Sequence, residues 1–199
     1  MNKLRIEAFS DGVFAIIITI MVLEIHVPQA YSLAAFRSLG AALAAYVLSF
    51  LFVGGYWVNH HHTFQACDHI EGRTLWMNLH LLFWLSLFPF CTEWLVESHF
   101  GTIPVAFYGF ILLAASYAGI SQMRALAACH GPESYLAKAL GSDKKGRFSM
   151  VAYAVAIPLA FLNSWAAYGV YILVALFWMV PDRRIEKVLP VRGGVETEK

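Results

Sequence analysis

From Leu33 to Val58 the chain carries a single charged residue, Arg37. This stretch constrains the fold more than any other feature, because a helix that crosses a bilayer needs about 20 mostly apolar residues. Comparable runs cover about 6–25, stopped by Pro28, then about 75–96 and about 103–127. Composition agrees: 59% of the 199 residues are hydrophobic and 14% are charged, where a soluble protein has roughly 25% charged. The expected fold class is therefore an all-α integral membrane protein. Lys3 and Arg5 ahead of the first run would suit a secretory leader. Asp11, however, stands at the start of that run, and His26-Val27-Pro28-Gln29-Ala30 offers no cleavage site, so the segment is read as a retained helix.

The segment from Phe148 to Val180 allows two readings. As one helix it would extend about 50 Å, well beyond a hydrocarbon core of about 30 Å. As a hairpin it makes two short helices, about 148–162 and 165–180, turning at Asn163-Ser164 just after Pro158. Charge placement decides between them. Lys3 and Arg5, then Arg73, then Arg124, Lys138, Lys144, Lys145 and Arg147, then Arg183, Arg184, Lys187, Arg192 and Lys199 fall in four segments, leaving Arg37 alone elsewhere. Six helices put those four segments on one side of the membrane, which the positive-inside rule makes cytoplasmic. The expectation is one six-helix unit over 1–182 in the plasma membrane, both termini cytoplasmic, with a charged tail over 183–199. Between Ala128 and Arg147, the stretch Glu133 to Leu140 suits a short interfacial helix.

Several functional classes are set aside. A formal net charge of +1 gives no footprint for nucleic acid. Cys67, Cys91 and Cys129 have no metal-ligand spacing and read as small buried hydrophobes. Eight histidines raise the question of metal chemistry, but only His60-His61-His62 with His69 is dense. His26, His80, His99 and His130 scatter, and no H-E-x-x-H motif is present. No enzyme, metal or cofactor is expected.

The first helix carries the chemistry. A carboxylate inside a spanning helix is costly and points to function; the plainer reading is that Asp11 sits at the interface near a helix N-terminus, where negative charge is favoured. On a helical wheel Arg5, Gly12, Thr19, Ile20 and Leu23 all fall within about 60° of Ile16. Asp11 and Ser10 lie off that stripe, by about 140° to one side and 120° to the other. The stripe and the polar pair must therefore face different neighbours. Arg5 and Asp11, six residues apart, are poorly placed to pair within one helix.

Arg5, Phe9-Ser10-Asp11 and the Ile/Thr-rich helix that follows resemble the signature of the transmembrane protein 175 family of potassium channels. The resemblance continues at Tyr56-Trp57-Val58-Asn59-His60-His61, which is similar to the family's W-x-x-H-H pattern, and at Asn78-Leu79 and Leu87-Phe88-Pro89-Phe90. It covers the first half of the chain; the second half is similar in hydropathy and topology. The resemblance implies a homotetramer whose four first helices line a central pore, with apolar and threonine layers in place of a TVGYG filter. On this chain those layers fall at Ile16, Thr19, Ile20 and Leu23, which the wheel places on one face without family knowledge. It also implies an interhelical network of Arg5, Ser10, Asp11, Trp57 and His60 or His61.

The function expected is a cation channel with modest preference for potassium over sodium, the potassium ion being the permeant species. A ring of isoleucines can narrow a pore until water withdraws, and partial dehydration costs the larger potassium ion less than sodium. A histidine in the network would make assembly or gating pH-sensitive, which flux measured from about pH 5 to 8 checks. The alternatives are a proton-conducting channel, a small secondary transporter, or an assembly protein without transport. Transporters usually carry inverted repeats and broken helices, and no repeat is visible here.

Overall fold

The computed structural model describes residues 3–28, 31–67, 69–131, 134–141 and 143–179; the 183–199 tail lies outside them. Within these residues the secondary structure is helical: α1 (Lys3–Leu23), α2 (Leu33–Ser38), α3 (Gly40–Gln65), α4 (Gly72–Ser86), α5 (Phe88–Glu97), α6 (Thr102–His130), α7 (Tyr135–Gly141), α8 (Lys144–Ala160) and α9 (Ser164–Met179). Four spans are long and apolar enough to cross a bilayer, namely Lys3–Leu23, Ala35–Gln65, Gly72–Glu97 and Thr102–His130. A helix satisfies its own backbone, which hydrocarbon demands.

Two apolar runs that read as single helices are interrupted. Between α4 and α5 the cause is Pro89, which has no N–H to give the carbonyl four residues back. The chain bridges the break with Leu87 N–H on the Trp84 carbonyl at 3.3 Å and Cys91 N–H on the Leu87 carbonyl at 3.0 Å. Between α2 and α3 the break falls at Leu39, ahead of Gly40. Ser32 caps α2 by accepting from the Ala35 N–H at 3.1 Å.

α6 is the central post. α4, α5, α8 and α9 all pack on it, and α1 rests on α3, α4 and α5. At Gly109 the approach of α9 to α6 is so close that a Cβ would collide with the Tyr171 hydroxyl. The missing side chain lets that hydroxyl donate to the Val105 carbonyl at 3.1 Å. A buried relay ties α3 and α5 to α6: Tyr108 donates to Ser49 (2.9 Å), Ser49 to Thr92 (2.7 Å), and Thr92 to the Phe88 carbonyl (2.7 Å). Every hydroxyl in it is satisfied, as apolar surroundings require.

Just beyond the end of α5, His99 and Phe100 both have positive φ, 53° and 59°. For an aromatic residue this backbone is strained. Packing holds it, because the buried Phe100 ring sits 4.8 Å from Trp165 and 4.8 Å from Tyr168 of α9. The α8–α9 hairpin turns over Phe161–Asn163, where the Asn163 side chain accepts the Ala166 N–H at 3.1 Å. At its other end Lys145 lies over the Phe177 ring at 4.7 Å and donates to the Phe177 carbonyl at 3.3 Å. The start of α8 and the end of α9 are thus side by side.

Candidate functional site

α1 presents opposite faces to protein and to open space. Ile6, Ser10, Phe14, Ile17 and Met21 are buried against α3, α4 and α5. Phe14, Ile17 and Met21 are 1%, 3% and 1% exposed, whereas Ile16, Ile20 and Leu23 are 58%, 40% and 78% exposed. Arg5, Gly12 and Thr19 are exposed as well. The stripe defined by the wheel is therefore the face that the protomer leaves uncovered. Thr19 donates its hydroxyl hydrogen to the Ile16 carbonyl at 2.9 Å, which leaves the oxygen lone pairs as its outward chemistry.

The polar residues divide into two groups. The buried group centres on Asn78 of α4. Its Oδ1 accepts from His60 Nε2 at 2.9 Å and from Gln122 Nε2 at 2.7 Å, and its Nδ2 donates to Ser10 Oγ at 3.0 Å. Ser10 in turn donates to the Ile6 carbonyl at 2.7 Å. Four helices, α1, α3, α4 and α6, meet at one amide. Donation to Asn78 assigns the Nε2–H form to His60, and its ring lies 4.4 Å from Phe64 and 5.6 Å from Phe14.

The second group lies at the protomer surface. Trp57 Nε1–H donates to Asp11 Oδ1 at 2.9 Å, and His61 stacks on the Trp57 ring at 5.9 Å. The two histidines thus belong to separate groups: His60 bonds in the buried one, His61 stacks in the exposed one. Arg5 joins neither; it is exposed and makes no hydrogen bond or ion pair among the described residues. The cation that does bind is Lys3, whose Nζ donates to the Phe64 and Cys67 carbonyls at 2.9 and 2.8 Å. Those carbonyls lie at the negative end of α3, where a cation is favoured.

In the sequence Asn78 stands out only as part of a motif and Lys3 only as a positive charge ahead of the first helix, while Gln122 has no assigned role. For Gln122 the available signal was an amide in an otherwise apolar part of α6, which needs a partner when buried. The remaining histidines are dispersed. His80 accepts from Trp84 Nε1 at 2.9 Å, and His69 and His130 face each other at 4.6 Å. Among the described residues no three of His, Cys, Asp or Glu converge as a metal site would need.

Long apolar helices, a polar cluster inside and an apolar face outside define a helical membrane protein. The sequence profile described as "Endosomal/lysosomal potassium channel TMEM175" matches residues 5–89. A potassium channel of Chryseobacterium sp. (strain P1-3) is 48% identical over 189 residues, covering 95% of this chain and 98% of its own. The crystal structure of a lysosomal potassium-selective channel TMEM175 homologue from Chamaesiphon minutus superposes with a TM-score of 0.78 at 31% identity. That match covers 88% of this chain and 95% of the other. The rat endosomal/lysosomal proton channel TMEM175 is 26% identical over 64% of this chain and 26% of its own length. The chain belongs to the TMEM175 family, whose members are ion channels and not enzymes.

Proposed function

We propose that the protein is a potassium-selective channel assembled from four copies, with α1 of each copy lining a central pore. The single observation that carries this reading is the uncovered stripe of α1. Ile16, Ile20 and Leu23 are large apolar residues on a face that the protomer itself does not pack. Four such stripes around an axis make a narrow apolar constriction, with Thr19 oxygens beside it. At Ile16 and Ile20 a passing cation sheds part of its hydration, which favours the more weakly hydrated potassium ion modestly over sodium. The names of the Chryseobacterium and Chamaesiphon relatives support potassium as the permeant ion.

Six crossings per copy follow if α4 with α5 counts as one span and α8 and α9 each cross. Seventeen and sixteen residues make helices of about 25 Å, short but close to the hydrocarbon thickness of about 30 Å. The contact of Lys145 with Phe177 supports a hairpin with both ends on one side. That side is cytoplasmic by its charge, and the termini lie there too. The exposed Asp11–Trp57–His61 group and Arg5 are then residues through which neighbouring copies meet. A carboxylate already holding one indole N–H has lone pairs left for a guanidinium across an interface.

Reconstitution into liposomes with potassium, sodium and proton gradients tests the reading. Potassium flux exceeding sodium flux, and altered by Ile16→Asn, is the expected result; no flux of any of the three ions would sink it. A second reading, proton conduction, is favoured by the name of the rat relative. Proton flux that persists without potassium and survives Ile16→Asn would select it.

A further inference from the structure

Two histidines outside the Asn78 and Trp57 groups meet where the α3–α4 connection reaches the end of α6. His69 lies between α3 and α4, and His130 is the last residue of α6. Their ring centroids are 4.6 Å apart, with the planes tilted by 36°. His69 is exposed and His130 half-buried, so the pair is open to ions from solvent.

His130 is set up as a ligand. Its Nδ1 lies 2.9 Å from the Leu126 carbonyl. A carbonyl only accepts, so Nδ1 carries the hydrogen and, in the neutral ring, Nε2 carries the lone pair. Metal-bound histidines are held in this way, one ring nitrogen on the ion and the other donating to a carbonyl or carboxylate. The spacing of the rings fits as well. An imidazole centroid stands about 3.2 Å from an ion bound at about 2.0–2.1 Å, so two rings on one ion at about 90–109° have centroids about 4.5–5.2 Å apart. The observed 4.6 Å falls inside that range, and the exposed His69 can turn its ring toward the shared point. The last carbonyls of α6 add a partial negative charge that favours a cation.

We propose that His69 and His130 together bind a divalent ion of the late first transition row, with water completing its coordination. Ligand chemistry selects the ion: imidazole suits nickel, copper and zinc, whereas magnesium and calcium take oxygen ligands. Two imidazoles are fewer than the three or four protein ligands that hold a resident zinc, so the ion exchanges with solvent. Once bound, it joins the α3–α4 connection to the end of α6, directly ahead of the helix that carries Asn78.

The test is footprinting with diethylpyrocarbonate, which acylates imidazole nitrogen, on the tag-free full chain in lipid nanodiscs, read at each histidine by mass spectrometry. Nickel(II) is the probe. It should protect His69 and His130 together, over one saturation curve, while the exposed His26 keeps reacting. Magnesium at the same concentration should protect neither. His69→Phe keeps a ring for stacking but removes the ligand nitrogens. In that variant the nickel concentration that protects His130 should rise by more than about tenfold, since even a partner one step removed from a metal is worth about 10–100-fold in affinity. A pair that only stacks predicts no protection by nickel, and that result overturns the proposal. Protection of one histidine without the other, protection that extends equally to His26, or protection of His130 unchanged in His69→Phe overturns it as well.

Discussion

On the inner side of α1, Ser10 is completely buried and bonded to Asn78, which also holds His60 and Gln122. On the outer side, Ile16, Ile20 and Leu23 stand exposed. A water-soluble protein would place these chemistries the other way round. In a bilayer, apolar surface costs nothing to expose, and polar groups must find each other inside the protein. Burial therefore marks the residues that hold the helices together, while uncovered apolar residues are the ones available to a pore, a neighbouring copy or lipid.

This contrast can be broken by substitution, and stability and transport should respond separately. The largest loss of stability is expected from Asn78→Leu, which strands Ser10, His60 and Gln122 together. Thermal unfolding in detergent should show a loss of about 2–4 kcal/mol, since each stranded buried group costs about 1–3 kcal/mol and the losses overlap. A variant that melts like the parent would mean that Asn78 is not the hub. Gly109→Ala comes next: overpacking against Tyr171 should cost about 1–3 kcal/mol. Adding Tyr171→Phe should return part of it, which a double-mutant cycle reads directly.

Ser10→Ala should cost about 1 kcal/mol by the same unfolding measurement, because it removes one interhelical bond and little volume. Ile16→Asn reverses the pattern. Its effect on unfolding should stay within about 0.5 kcal/mol, as for most exposed positions, while the ratio of potassium to sodium flux falls. Unaltered flux together with marked destabilisation would place Ile16 in the scaffold. The smallest effect on the protomer belongs to Trp57→Phe. Loss of the exposed bond to Asp11 should leave unfolding nearly unchanged and instead weaken association between copies, read by native mass spectrometry.

Much of the membrane class was legible without coordinates, and the reason is plain. Run length and polarity are local properties, and the bilayer imposes one threshold on both. The azimuths along α1 were equally accessible, because every helix turns by the same angle per residue. The network was less accessible. Trp57 and Asp11 could be paired by motif, but Lys3 rather than Arg5 supplies the cation that reaches α3 in the protomer. Two cations two residues apart point in different directions from a helix, and only the position of α3 selects between them.

By itself the sequence determined that the chain is helical, that it lives in a membrane, and that Ile16, Thr19, Ile20 and Leu23 share a face turned away from Ser10. Tertiary structure alone decided which of those faces is buried. It also decided that Ser10, His60, Asn78 and Gln122 converge, although Ser10 and Asn78 are 68 residues apart in sequence. Helical periodicity sets angles relative to a helix's own axis, so it has no reference for where the neighbours stand. A lone amide in an apolar helix announces that a partner exists, and the packing of α1, α3, α4 and α6 around one point names it.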